Sequence, residues 1–152
     1  MNETLSLSAA GLEFIAAHEG FRATVYRDAA GLETIGFGHR LIGGETYPDG
    51  MTQDQARQLL ASDATRAEAA VRAHVAVDLD QAQFDALVSF AFNVGAGAFA
   101  GSTLVRKLND DDFTGAAGEF PRWNKITIGG VLTVDPGLAN RRAAERKLFL
   151  GA

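Results

Sequence analysis

The sequence predicts an α+β fold that is mostly helical, with one small antiparallel sheet near the N-terminus. Helix-capping signals precede several segments whose apolar residues recur at helical spacing. Two short segments rich in β-branched and aromatic residues flank a turn at Asp28–Gly31. Hydrophobic residues make up 47% and charged residues 22% of the 152 residues, which is the composition of one globular domain with a sizeable core.

The first predicted helix begins after the N-cap Ser8 and ends at Gly20. One stripe of this helix carries Leu12, Ile15, Ala16 and Glu19.

Two predicted strands follow, at Thr24–Arg27 and Thr34–His39. In the second strand the alternation of side chains places Thr34, Gly36 and Gly38 on one face. The neighbours of Thr34 on that face therefore have no side chains, which leaves open space for a ligand beside it.

A long helix is predicted at about residues 52–73, where Thr52 and Gln55 form a capping box. It connects a small β-containing lobe, at about residues 20–50, to a helical lobe, at about residues 80–152, that also holds the N-terminal helix. Together these parts are predicted to form a single domain over residues 1–152.

The helical lobe is predicted to be built around a buried helix that starts with the capping box of Asp80 and Gln83 and ends at Gly95 and Gly97. Ser102 caps a short helix, and Asp111 or Asp112 caps another. A hairpin with a Gly-Gly turn spans residues 126–132, and the last helix opens at Asp135-Pro136.

Composition excludes several classes of function. The chain has no cysteine, so it has no disulfide framework, thiol nucleophile, Cys-ligated zinc or iron–sulfur cluster. His18 and Glu19 begin like a zinc-protease helix, but position 22 is Arg, so we expect no metal and no cofactor. The net charge of −5 argues against nucleic acid as a partner, and contact with an anionic surface would need a local basic patch.

The N-terminal residues Met1–Ser8 contain neither a basic region nor an apolar stretch, so we expect no secretory signal. No run approaches 18 apolar residues, and we expect no membrane insertion. The protein is therefore expected to stay in the cytoplasm of the cell that makes it until another factor releases it.

Glu19 is the first candidate for chemistry. Its stripe points the carboxyl group toward apolar surroundings, and its place in the last helical turn sets it against the negative end of the helix dipole. Both effects favour the neutral acid, which is the form that a general acid needs. The alternative is a structural carboxylate paired with an arginine.

Asp28, at the tip of the first strand, and Thr34, on the second, are the other candidates. A carboxylate and a hydroxyl beside a bare strand face could hold one water molecule between them. The alternative is that they are a turn residue and an ordinary strand residue.

The three candidates form a spaced pattern: Glu19, eight residues, Asp28, five residues and Thr34, which opens the segment TIGFGH at 34–39. This pattern resembles that of the phage-type lysozymes, glycoside hydrolase family 24. Further similar blocks lie at 82–95, 99–109, 119–124, 129–130 and 137–145, so the resemblance covers nearly the whole chain.

The resemblance implies a lysozyme-like fold and a muramidase that cleaves peptidoglycan. The glutamate at the position of Glu19 is the general acid of the family, and the residues at the positions of Asp28 and Thr34 position a water for inverting attack at the muramic-acid C1. It also implies pairing of the acid with an arginine of the last helix, for which Arg141 matches best and Arg142 is the alternative. Phe92 and Ser102 match positions that line the saccharide cleft.

Further expectations accompany the resemblance. His39 should fix the hairpin through a carboxylate partner, and Trp123 should belong to the core. The protein is expected to act as a monomer. Because the N-terminus carries no signal-arrest helix, release should need a holin.

Two other functions remain open. A non-catalytic peptidoglycan-binding module would keep the fold without cutting, although the intact trio of Glu19, Asp28 and Thr34 argues against it. A lytic transglycosylase would use the general acid but needs no positioned water, so Asp28 and Thr34 would have no role in its reaction.

Overall fold

Helices account for about 54% of the chain, and the strands form one three-stranded and one two-stranded antiparallel sheet, which confirms the predicted α+β class. The computed structural model describes residues 2–151. The helices are α1 (Ala9–Glu19), α2 (Gln53–Asp63), α3 (Thr65–His74), α4 (Gln81–Val94), α5 (Ala96–Ala100), α6 (Thr103–Asn109), α7 (Phe113–Ala117) and α8 (Pro136–Leu150). The strands are β1 (Arg22–Arg27), β2 (Glu33–Gly36), β3 (His39–Arg40), β4 (Lys125–Ile128) and β5 (Val131–Val134), and a 3-10 turn spans Phe120–Arg122.

The chain divides into two compact units by its internal contacts. The first unit is Leu12–Thr65, and the second combines the residues before and after it. The first unit therefore contains most of α1, although the sequence predicts that this helix belongs to the helical lobe.

In the first unit the sheet has the order β1-β2-β3. Tyr26 pairs with Thr34, and Thr34 pairs with Arg40 on its other side. The single strand predicted at 34–39 is wrong: β2 ends at Gly36, a turn follows, and β3 begins at His39. Gly36 and Gly38 have φ of 67° and 78°, so the chain reverses where the pattern predicted continued alternation.

The connecting helix predicted at 52–73 is also interrupted. Its capping box at Thr52 and Gln55 forms as predicted, but α2 ends at Asp63 and α3 begins at Thr65. Ala64 takes the intervening turn, and the Thr65 hydroxyl donates to the Ser62 carbonyl at 2.7 Å. Ser, Asp and Thr compete for backbone hydrogen bonds in this way, which weakens a helix interior.

In the second unit α4 is the buried central helix that the sequence predicts, with its capping box at Asp80 and Gln83. Helix α8 packs along it. The predicted caps Ser102 and Asp135 are in place, and Asp112 rather than Asp111 caps α7. Gly97 does not end α4, since it lies inside α5.

The predicted hairpin around Gly129-Gly130 is formed by β4 and β5, whose residues are all exposed. Within the described part of the chain, no helix combines the length and the hydropathy that a membrane span requires.

Candidate active site

Glu19 is the last residue of α1 and is half-buried. The helix stops because Gly20 takes a φ of 75° while its N–H still bonds the Ala16 carbonyl at 3.0 Å. The carboxyl group lies against the backbone of the β2–β3 turn: a Cβ built on Gly38 would be 2.7 Å from Glu19 Oε1. Sequence reasoning missed this role of Gly38, although the Gly-x-Gly spacing signals a turn.

Gly38→Ala should therefore impair Glu19 specifically. The added methyl group collides with the carboxyl group, and the left-handed backbone costs about 1–2 kcal/mol. We expect a lower free energy of unfolding and a loss of lytic rate of at least about tenfold, which is the change expected when a reacting group is displaced. Urea unfolding and clearing of permeabilised Gram-negative cells measure the two effects.

Gly44→Ala is the matched control, because Gly44 has a φ of 87° in the same unit but open space where a Cβ would stand. It should lose similar stability and retain its lytic rate. Equal rates for the two variants would contradict a role of Gly38 in placing Glu19.

Asp28 and Thr34 are brought together around the peptide of Leu32. Asp28 Oδ1 accepts the N–H groups of Leu32 and Ala30, both at 2.9 Å. The Thr34 hydroxyl donates to the Leu32 carbonyl at 2.9 Å, and that carbonyl also accepts the Asp28 N–H at 2.9 Å. Thr34 is buried, at 2% exposure. The turn thus fixes both side chains with respect to one residue.

The surroundings of Asp28 favour its ionised form. Hydrogen bonds from the Leu32 and Ala30 N–H groups, together with Arg40, lower the pKa of Asp28 against a smaller opposing effect of burial. The Arg40 Nε lies 3.3 Å from Asp28 Oδ2. Arg40 lies close to Asp28 because it pairs with Thr34 across β2 and β3. The sequence does not predict this contact, since it depends on the register of the sheet.

The prediction that Gly36 and Gly38 leave open space beside Thr34 is wrong. A Cβ on Gly36 would meet Met51 Sδ at 3.0 Å and Ala56 Cβ at 3.2 Å, and one on Gly38 would meet Glu19. Both positions require glycine, because each has a positive φ and each lacks room for a Cβ. They do not share one strand face with Thr34, since β2 ends at Gly36.

His39 is held between two carboxylates, as its predicted carboxylate partnership requires. Its Nδ1 lies 2.7 Å from Asp63 Oδ2 and its Nε2 lies 3.0 Å from Glu45 Oε1. Burial opposes the charged ring, but the hydrogen bonds to Glu45 and Asp63 outweigh it and raise the pKa of His39. The bond from His39, with others from the Ile42 N–H and the Tyr47 hydroxyl, lowers the pKa of Glu45 to about 2.

This network should make stability depend on pH. Because the folded-state pKa of His39 is raised, its contribution is complete below the ordinary value of 6.5 and disappears as pH rises through the folded pKa. The contribution of Glu45 is present above 4.5 and is lost as pH falls toward 2. The difference in unfolding free energy between wild type and His39→Gln should therefore be largest between about pH 4.5 and 6.5. A difference that is constant from pH 3 to 10 in urea titrations would contradict this.

The remaining predicted site residues lie in the second unit. Phe92 is half-buried in the last turn of α4. The Ser102 hydroxyl donates to the Phe99 carbonyl at 2.7 Å and accepts the Val105 N–H at 3.2 Å, so it serves as the N-cap of α6. Trp123 is half-buried, with its ring edge-to-face on Phe90 at 5.4 Å, so it belongs to the core in part.

Arg141 is 5% exposed and sits in a buried charge cluster that sequence reasoning missed. Its Nε lies 3.3 Å from Glu145 Oε2, and its Nη2 donates to the Ser89 carbonyl at 3.2 Å. The Ser89 hydroxyl donates to the same Glu145 oxygen at 2.6 Å. The spacing of Arg141, Arg142 and Glu145 on one helix is the signal that could have revealed the cluster.

Within residues 2–151, no three His, Cys, Asp or Glu side chains converge in a way that could hold a metal ion.

A sequence model of the phage lysozyme family matches residues 16–145. The chain belongs to the phage lysozyme family. It is 40% identical to an endolysin of Acyrthosiphon pisum secondary endosymbiont phage 1 over 148 residues, which cover 97% of this chain and 100% of that relative.

Two solved structures are similar to the chain. An endolysin from Escherichia coli O157:H7 phage FAHEc1 aligns with a TM-score of 0.90 and 36% identity, covering 97% of this chain and 94% of that one. The muramidase domain of SpmX from Asticaccaulis excentricus aligns with a TM-score of 0.88 and 37% identity, covering 95% and 97%. The enzyme is thus a lysozyme, a hydrolase with a muramidase role in peptidoglycan hydrolysis and host lysis.

Proposed function

We propose that the enzyme cleaves the β-1,4 bond between N-acetylmuramic acid and N-acetylglucosamine, with Glu19 as general acid and with Asp28 and Thr34 positioning the attacking water. The observation that carries this proposal is the arrangement of Asp28 and Thr34 around Leu32: a carboxylate whose pKa is lowered and a hydroxyl both hydrogen-bond to the backbone of that one residue.

The hydrogen-bond directions suit a water molecule. The Thr34 hydroxyl donates its hydrogen to the Leu32 carbonyl, so its oxygen remains able to accept a hydrogen bond from water. Asp28 also accepts. A water that donates one hydrogen to each of them would keep a lone pair for the anomeric carbon. Asp28 then takes the proton of the attacking water while Glu19 protonates the leaving oxygen, and the product is inverted.

The experiment is product analysis of digested peptidoglycan. We expect saccharides with a free reducing N-acetylmuramic acid end, first formed as the α-anomer and detected by proton NMR before mutarotation. Products with 1,6-anhydro ends would instead identify a lytic transglycosylase. Binding of peptidoglycan without release of any saccharide would identify a binding module.

Arg141, Phe92 and Ser102 are proposed to contribute to substrate binding. The guanidinium of Arg141 is held in place by Glu145 and by the Ser89 carbonyl. Ser102 uses its hydroxyl in capping, so its contribution would be to shape the loop before α6. The pairing of Arg141 with Glu19 that the resemblance implies remains a prediction.

The enzyme is further proposed to act as a monomer and to depend on a holin for passage from the cytoplasm to the periplasm. Expression without a holin should leave Escherichia coli cells intact, and addition of chloroform should cause rapid clearing. Prompt lysis by expression alone would contradict the dependence on a holin. Sedimentation equilibrium tests the monomer.

A further inference from the structure

Asp28 uses the two oxygens of its carboxyl group differently. Oδ1 accepts the Ala30 and Leu32 N–H groups, both at 2.9 Å, and these bonds hold the side chain in the turn. Oδ2 makes neither of these bonds, so it is the oxygen that remains for the attacking water. The Arg40 Nε lies 3.3 Å from Oδ2. The orientation and charge of this oxygen therefore depend on Arg40.

The backbone of Arg40 is fixed, although its side chain is 63% exposed. Arg40 pairs with Thr34 across β2 and β3, and the following N–H, of Leu41, donates to the Glu33 carbonyl at 3.0 Å. His39, the preceding residue, is buried and is held between two carboxylates. The cation is thus brought to Asp28 Oδ2 by an anchored strand.

In the described part of the chain, Arg40 is the one cation that forms an ion pair with Asp28. Arg27, the residue before Asp28, is exposed and donates from Nη1 to the Gly31 carbonyl at 2.8 Å. Glu33 is exposed and pairs with Arg27 across β1 and β2. Arg40 is also the one charged side chain that lowers the pKa of Asp28. The charged and titratable residues of the three strands are Arg22, Tyr26, Arg27, Glu33, His39 and Arg40.

We propose that Arg40 is a positioning residue of the reaction, which keeps Asp28 Oδ2 oriented and ionised for the attacking water. The proposal rests on the proposed function. The guanidinium stays protonated and exchanges no proton itself, so it acts only through Asp28, as a directional donor and as a charge. Because solvent screens an exposed ion pair, its effect on the rate should be modest.

The pH dependence of the rate separates this role from a structural one. Arg40→Leu removes the cation and keeps an aliphatic side chain. Because Arg40 favours the ionised form of Asp28, its loss should move the acid limb of kcat/KM to higher pH. The alkaline limb, which reports the protonated general acid, should not move. If the rate instead fell by the same factor at every pH, Arg40 would be structural and the proposal would be wrong.

Arg40→Lys should separate the charge from its direction. An ammonium restores the positive charge but has no group equivalent to the Nε of a guanidinium. The acid limb should therefore return to its wild-type position in Arg40→Lys. The plateau rate should be below that of wild type in both variants, by up to about fivefold, which corresponds to one exposed ion pair. Initial clearing rates of purified peptidoglycan at low substrate concentration, from pH 4 to 9, measure both quantities.

Arg57→Leu is the matched control. Arg57 lies in the same unit as Arg40, and its Nε forms an ion pair with Glu13 Oε1 at 2.6 Å. The substitution removes the same charge from an ion pair that does not involve Asp28, so both limbs of the pH profile should keep their positions. An equal shift of the acid limb in Arg57→Leu and Arg40→Leu would overturn the proposal, since net charge would then be the cause.

Carbon-13 NMR of the Asp28 carboxyl group tests the same contact without catalysis. The midpoint of its titration should rise in Arg40→Leu and stay unchanged in Arg57→Leu. An unchanged midpoint in Arg40→Leu would overturn the proposal. A raised midpoint with an unmoved acid limb would also overturn it, because ionisation of Asp28 would then not govern the rate. Failure of the muramidase proposal would show in the product analysis, on which the NMR midpoint does not depend.

Discussion

Glu19→Gln is expected to lower the lytic rate by about 10²–10⁴-fold, which is the usual contribution of a general acid. Glutamine has the size and hydrogen-bonding reach of glutamate but cannot deliver a proton to the leaving oxygen. The side chain stands at the end of α1 beside the Gly38 turn, and an amide fits the same place without added volume. The measurement is the initial rate of clearing of permeabilised Gram-negative cells.

Glu33→Gln is the matched control for this substitution. Glu33 lies in the same unit, next to Thr34 in the sequence, and its side chain is exposed. The control loses the same charge and should keep the wild-type rate. Circular dichroism and thermal unfolding should show both variants folded. If Glu19→Gln kept more than about a tenth of the wild-type rate, Glu19 could not be the general acid.

The structural elements that the sequence predicts well are fixed by neighbours within a few residues. The capping boxes at Thr52 and Asp80, the Gly129-Gly130 turn and the Asp135-Pro136 helix start each depend on contacts that span three or four positions. The residues that form each of these contacts are close together in the sequence, so the sequence pattern alone predicts them.

Two of the wrong predictions, the single strand at 34–39 and the unbroken helix at 52–73, concern places where local patterns compete. At residues 34–39 the alternation favoured one strand, whereas the positive φ of Gly36 and Gly38 made a turn. At Ala64 the connecting helix breaks although alanine is a strong helix former, because the flanking Ser62, Asp63 and Thr65 favour capping. Asp63 is also drawn to His39, a partner 24 residues away that helical periodicity cannot reveal.

The candidate site shows the same division. The sequence predicts that Glu19, Asp28 and Thr34 belong to one site, because they lie in or next to consecutive elements of one unit. The residues that support these three are not predicted from the sequence. Arg40 contacts Asp28 because of the register between β2 and β3, and Gly38 contacts Glu19 because the β2–β3 turn packs against the end of α1. The buried Arg142 and its bond to Asn93 likewise depend on the packing of α8 along α4.

Thr34→Val and Thr34→Ser should separate the hydroxyl of Thr34 from its shape. Valine keeps the branched volume and suits a strand, but it cannot accept a hydrogen bond from water. The Leu32 carbonyl keeps the Asp28 N–H as a donor after the change, so no buried acceptor is orphaned. The cost in unfolding free energy should therefore be about 1 kcal/mol, the value of one ordinary hydrogen bond.

Thr34→Ser loses a buried methyl group at a cost of about 1 kcal/mol, so the two variants should be similarly destabilised. They should differ in rate. Serine retains the oxygen that accepts from the attacking water and should stay within about tenfold of wild type, whereas valine should lose about 10²-fold or more, as expected when proton transfer from a positioned water fails. Clearing rates compared at equal folded fractions measure the difference. Equal rates in the two variants would show that Thr34 acts through its shape alone, and Asp28 would then have to position the water without it.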